Sequence, residues 1–174
     1  MNTFYNFQWA QRRNEILFES MKDYDEKSLF LGNVTKEIPF LVRINEGNKF
    51  YDIAHFQDPF NFAISERVYN LLIASGLTGW SCYEIRIVGR TEKYFGFQVT
   101  GRCGELEKPK EAGFYKGYKF DYNTWDGSDF FSPENTLLLF CSESAKRFFD
   151  LNNITNTDLI NIKHVHAYSV GSSS

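Results

Sequence analysis

Asp121, Asp126, Asp129 and Glu134 form the densest group of carboxylates in the chain. Asp126 and Asp129 stand three apart in Trp125-Asp126-Gly127-Ser128-Asp129-Phe130-Phe131. Such a pair has the residue types of an acid/base couple or a Mg²⁺ site. The same letters also spell a turn, because Asp-Gly and Ser-Asp side chains bond nearby backbone N–H groups. The turn reading is the stronger one, so Trp125, Asp126, Gly127, Ser128, Asp129 and Phe130 are expected to be structural. His164 and His166 are two apart and would share one face of a strand, with His55 or Cys141 as a third zinc ligand. His-x-His is a loose signal, and no cysteine has C-x-x-C spacing, so no metal is expected. Cys103 follows Arg102, whose charge could lower a thiol pKa. No histidine has an obvious claim to be its base. The glycines fit neither nucleotide-binding pattern, and no serine sits in G-x-S-x-G. Neither a catalytic residue nor a cofactor is expected.

The elements that must hold these groups follow from pattern. A chain of 174 residues that is 43% hydrophobic and 24% charged is long and apolar enough for one continuous core. Aromatics make up 18%, with 18 Phe and 10 Tyr, which suits wide cores and contact surfaces. A net charge of −3 argues against nucleic-acid or anionic-membrane partners. No apolar run reaches the ~18 residues of a membrane span, and Met1 to Arg13 lacks a signal-peptide pattern. Three scattered cysteines, Cys82, Cys103 and Cys141, suit reduced thiols and a cytoplasmic location.

In chain order, residues 1–57 read as β-rich. Ala10 to Met21 reads as a short helix, and Ser28 to Leu31 and Pro39 to Ile44 as strands around a Gly32-Asn33 turn. Lys49 to Ala54 reads as a strand pairing back. Residues 58–100 read as a first helix-strand unit. Asp58-Pro59 breaks the chain, and Ile64, Val68, Leu71 and Leu72 then follow at helical spacing over Ile64 to Ser75. Ser65 caps that helix and Gly76 ends it. Strands follow at Trp80 to Val88 and Tyr94 to Thr100, joined by Thr91-Glu92-Lys93. Residues 101–113 read as a long surface loop. Residues 114–170 form a second unit: a half-exposed strand at Phe114 to Tyr122, the acidic turn, and an apolar run from Leu137 to Phe140. A helix from Ser142 to Asn152 follows, with Ser142 as cap and Asn153 at the left-handed stop, then a closing strand from Leu159 to Tyr168. Residues 171–174 read as a tail. The expected class is α+β, a single domain of mostly antiparallel strands with two main helices.

The two units align at a spacing of 77 residues. Asp52 falls on Asp129, Ser65 on Ser142, Gly76 on Asn153, Thr78 on Thr155 and Ile85 on Ile162. An internal helix-strand duplication gives such a register, and so does shared capping physics acting on two ordinary units.

The Trp125 to Phe131 string, Gly101-Arg102-Cys103-Gly104 and the Ser-Glu helix starts resemble a bacterial family of polymorphic-toxin immunity proteins. The resemblance covers roughly residues 50–165, and W-D-G-S-D-[FIL]-F is its most specific part. It implies a small cytoplasmic protein that binds and neutralises a cognate toxin domain, with no reaction of its own. Some relatives carry paired C-x-x-C-G zinc motifs, but this chain keeps only Cys103-Gly104, so zinc is not carried over. The toxin's nature stays open, a nuclease with a basic cleft being the target that acidic side chains suit. Two rival readings remain: a small enzyme using Asp126/Asp129 or Cys103, and a general protein-interaction module.

Overall fold

A computed structural model describes residues 2–33, 39–109 and 111–169. The chain opens with two strands, β1 (Phe4–Trp9) and β2 (Leu17–Ser20), then a short helix α1 (Glu26–Phe30). Strands β3 (Phe40–Glu46), β4 (Ile53–Phe56) and β5 (Phe62–Ser65) lead into helix α2 (Glu66–Ser75). Next come β6 (Trp80–Ile87), β7 (Tyr94–Val99), β8 (Gly101–Cys103) and β9 (Gly113–Lys116). A 3-10 turn at Tyr122–Thr124 precedes β10 (Phe130–Pro133), β11 (Phe140–Ser142) and helix α3 (Glu143–Leu151). The chain ends with β12 (Thr157–Asn161), a 3-10 turn at Ile162–His164, and β13 (His166–Ser169). It is one domain of the α+β class, mostly strand.

Six strands close a barrel in the order β2-β3-β6-β7-β5-β4, a closure that alternation alone does not announce. Its interior is filled by Ile16, Phe18, Phe40, Val42, Phe56, Tyr83, Ile85 and neighbours. A second, five-stranded sheet runs β12-β1-β11-β10-β8. It wraps its own cluster of Phe4, Cys103, Phe120, Phe131, Phe140 and Ile162. A third cluster fills the seam between the two sheets, where α2 delivers Val68 and Leu72 and α3 delivers Ala145 and Phe149.

The pairing registers of the two assemblies run in step. Ile53 faces Ile64 in the barrel, and Phe130 faces Cys141, 77 residues later, in the second sheet. The strand beside β5 is β7, with Phe95 opposite Ile64; the strand beside β11 is β1, with Tyr5 opposite Cys141. The next pair repeats the match: Cys82 faces Phe97, and Leu159 faces Phe7. The chain's first strand therefore takes, in the second sheet, the place that β7 takes in the barrel.

Several segments depart from the sequence expectations. Ala10 to Met21 is not a helix: residues 10–14 form a loop with Gln11 and Asn14 at positive φ, and Leu17–Ser20 is a barrel strand. Ser28 to Leu31 is helical instead of extended. The Asp25 carboxylate accepts the Ser28 N–H at 2.6 Å, and the helical turn lets Leu29 enter the barrel cluster while adjacent Phe30 enters the seam. The Gly32-Asn33 signal ends that helix, with Gly32 at φ +92° and the Asn33 N–H on the Ser28 carbonyl. Lys49 to Ala54 holds only the start of a strand; Ile53–Phe56 pairs with Phe62–Ser65 around the Asp58-Pro59 turn. Gly101 to Gly113 is not wholly loop, since Gly101–Cys103 pairs in parallel with β10. Leu159 to Tyr168 breaks at the 3-10 turn and joins two different sheets.

The two main helices start and stop where capping chemistry placed them. The Ser65 hydroxyl accepts the Val68 N–H, and the Ser142 hydroxyl accepts the Ala145 N–H at 3.2 Å. Gly76 has φ +74° and Asn153 φ +49°. Ile64 and Cys141 belong to the preceding strands, and α2 begins two residues, α3 one residue, later than expected. The tail at 171–174 lies outside the described residues.

Candidate functional site

The acidic turn is built from its own backbone needs. The Asp126 carboxylate accepts the Ser128 N–H at 2.9 Å and the Arg102 N–H of β8 at 2.7 Å. Gly127 sits at φ +86°, which lets the chain double back. The half-buried Trp125 indole donates to the Ser128 carbonyl at 3.0 Å and stands edge-on to Phe4 at 4.9 Å. Phe130 then points into the seam cluster and Phe131 into the second sheet's cluster. Asp121 caps the 3-10 turn by accepting the Asn123 N–H, and Glu134 is exposed. Asp121 and Asp126 thus each bond backbone N–H groups, as turn formers do.

Asp129 works at longer range. Its carboxylate accepts the Thr78 N–H at 3.0 Å, the Thr78 hydroxyl at 3.3 Å and the Ser142 hydroxyl at 2.6 Å. Asp52, its counterpart in the 77-residue register, accepts the Thr155 N–H and hydroxyl at 3.0 Å each and the Ser65 hydroxyl at 3.1 Å. Each aspartate therefore binds the cap serine of its own helix and the threonine that follows the other helix. The two contacts clasp the seam reciprocally. Asp52 has one addition, an ion pair with Arg67 at 2.7 Å. Burial would raise the Asp52 pKa, but the Arg67 guanidinium and the Thr155 donors outweigh it and hold the carboxyl below its usual value.

The nucleophile and metal alternatives meet different surroundings. Cys103 is buried, its thiol donating to the Gly104 carbonyl at 3.5 Å. Burial, then the Asp126 and Glu134 carboxylates, push its pKa up to about 12. Arg102 does not activate it, because its guanidinium donates to the carbonyls of Val99, Gly101 and Leu31 at 2.7 to 2.8 Å. His164 and His166 do not share one strand: the first ends a 3-10 turn and the second begins β13, both exposed. His55 is buried against Trp9, and Cys141 is buried beneath α3's cap. Among the described residues, no three of His, Cys, Asp and Glu gather where they could hold a metal ion.

What sequence reasoning left unsorted was which aromatics are exposed. Most are core, but β9 and β13 form a two-stranded ribbon outside both sheets. One face of it carries Phe114, Lys116, His166 and Tyr168, all exposed. Phe114 is 85% exposed and Tyr168 61%, and their rings meet edge-on at 5.2 Å. The alternation of Phe114, Lys116 and Tyr118 with intervening residues was the available signal, but alternation does not say which face is wet.

No helix among the described residues is long and apolar enough to cross a membrane. The chain matches no protein-family model, and no curated protein is significantly similar to it.

Proposed function

We propose that the chain is a non-catalytic immunity protein that binds a cognate bacterial toxin domain and blocks it. The observation that carries this reading is the exposed aromatic face of the β9–β13 ribbon. Large aromatics presented on a strand pair, clear of the core, are the residue types that anchor protein interfaces. Sequestration also suits a chain whose acidic groups and thiols serve local structure. The W-D-G-S-D resemblance supports the same reading, and a cytoplasmic site of action goes with it. Acidic side chains elsewhere on the surface would speed encounter with a basic target and make the rate salt-dependent.

The scaffold reading that accompanies it is a tandem duplication of one strand-helix-strand unit. Its second copy borrows its last strand from the chain's start. The matched registers, the paired caps and the reciprocal Asp–Thr clasps support it.

The test is co-expression with the adjacent toxin domain, and size exclusion of the purified pair with and without chelator. Rescue and a one-to-one complex in both conditions are expected, and Phe114→Ser with Tyr168→Ser should weaken binding more than tenfold while leaving stability nearly unchanged. Continued killing in the presence of abundant folded protein, with no complex formed, would overturn the proposal.

A further inference from the structure

Charge sets the two-stranded ribbon and the turn at its base apart from the rest of the chain. Residues 113–120 and 162–169 hold Lys116, Lys119 and Lys163, two of the chain's three histidines, and none of its 22 Asp and Glu residues. The three lysines, His164 and His166 are all exposed. Among the described residues, no carboxylate forms an ion pair with any of these lysines. The net charge of −3 therefore averages over a local cationic patch, and a partner meets the patch. Backbone bonds assemble it. The Gly117 N–H donates to the Val165 carbonyl at 2.8 Å and the Tyr118 N–H to the Ile162 carbonyl at 2.9 Å, which brings Lys163 and His164 beside the ribbon. Glu107 neighbours Lys119 across a backbone bond of 2.8 Å, so Lys116 and Lys163 are the principal cations.

Exposed rings stand next to these cations. In the ribbon's register Lys116 faces His166, and Phe114 faces Tyr168. The ring row therefore lies two residues, or about 7 Å, along the strands from the Lys–His row. His166 also stands on the rim of an open cleft whose walls include Gln8, Gln11 and Trp9, with no Asp or Glu among its lining residues. Protein-docking patches are depleted in lysine, whereas faces that take single strands interleave cations with rings.

We propose that the ribbon face binds single-stranded nucleic acid without sequence preference. Phe114 and Tyr168 stack on bases, and Lys116 and Lys163 neutralise the adjoining phosphates. Stacking needs a base with a free face, so a duplex, whose bases cover one another, binds less well. An acidic polypeptide satisfies the lysines but leaves the rings without stacking partners. A second copy of the chain sets like charges against one another. The same two rings are offered to the toxin, so oligonucleotide and toxin compete for them.

The test is fluorescence anisotropy with the intact protein and four labelled probes: an oligothymidylate, an oligouridylate, a DNA duplex of the same length and an oligoglutamate peptide. At least one single strand should saturate with a Kd of about 10 μM at low salt, at least tenfold tighter than the duplex and the peptide. The slope of log K against log salt should be about −1.5, as two phosphate contacts give. Lys116→Gln should make that slope shallower by about 0.7. Phe114→Ser with Tyr168→Ser should weaken binding about tenfold and leave the slope unchanged. All three side chains are exposed, so urea unfolding of the variants should match wild type. If a variant fails to fold, the ranking of the four probes and the wild-type slope decide alone. The tighter of the two single strands assigns the source as DNA or RNA. No saturation by either, duplex or oligoglutamate bound as tightly, or a folded ring variant that binds at full strength would overturn the proposal. No toxin enters the assay, so its outcome is read apart from the immunity proposal.

Discussion

Replacing Asp129 by alanine removes one of the two clasps across the seam. Three accepted hydrogen bonds go at once: from the Thr78 N–H, the Thr78 hydroxyl and the Ser142 hydroxyl. Bonds to a charged acceptor are each worth more than neutral ones, but this carboxylate is half-buried and water can reach the stranded donors. Taking each of the three at the low end of the usual ~0.5–1.5 kcal/mol gives about 1.5 kcal/mol for the substitution. The Ser142 hydroxyl still caps α3, so the helix itself should survive. Equilibrium urea unfolding followed by tryptophan fluorescence reads this directly. With an m-value of about 2 kcal/mol/M, the midpoint should fall by about 0.7 M with m unchanged. Asp52→Ala should cost a similar amount. The double variant should show the sum, because the two carboxylates share no partner. A midpoint that moves by less than about 0.2 M for Asp129→Ala would refute the clasp as a source of stability. A normal midpoint with lost toxin neutralisation would assign the residue to function instead.

Asp52 gives a pH-dependent version of the same test. Its folded pKa is lowered, so its contribution is present above the unfolded value of about 3.9 and is lost as pH falls through the folded value. The stability gap between wild type and Asp52→Asn should be flat from pH 7 to 5 and close below about pH 4; a gap that widens in acid would contradict the assignment. A Cβ at Gly96 would lie 1.9 Å from the Tyr83 ring inside the barrel, so Gly96→Ala should cost about 3 kcal/mol or prevent folding. At Gly76 nothing lies within 4 Å, and alanine should cost only the left-handed strain of about 1–2 kcal/mol; thermal or urea unfolding separates the two. Native protein treated with iodoacetamide at pH 8 should leave Cys103 and Cys141 unmodified by mass spectrometry, since burial pushes both thiols up. Rapid labelling of Cys103 would reopen the nucleophile reading.

Local chemistry was the legible part of the sequence. Ser65, Gly76, Ser142 and Asn153 act through neighbours within four residues, so their roles can be read without knowing the fold. The register that set Asp52 over Asp129 and Thr78 over Thr155 was legible for the same reason. What could not be read was that each aspartate reaches the other unit's threonine, because that contact depends on how two sheets face each other. The N-terminal third misled more. Ser28 to Leu31 has the composition of a strand, and only the Asp25 cap and the need to bury adjacent Leu29 and Phe30 in different clusters make it helical. His55 resembled a spare metal ligand because sequence does not show that Trp9 lies on it. The barrel escaped notice because its closure rests on two parallel pairings, β2 with β4 and β3 with β6, which no hairpin turn announces.

The placement of β1 between β11 and β12 has a consequence for how the chain is made. Every strand of the barrel lies within residues 17–99, so the barrel can assemble while synthesis is still under way. The second sheet cannot. Its interior strand β1 is made before the others, yet both neighbours of β1 arrive only after residue 139. Until then Phe4 and Phe7 have no sheet to enter, and an unpaired strand rich in aromatics is exposed to other chains. Closing so long a loop is slow, because the entropy of joining distant segments is lost before any contact compensates it. Of the two halves, the second should therefore set the folding rate and depend on whatever shields that first strand while it waits.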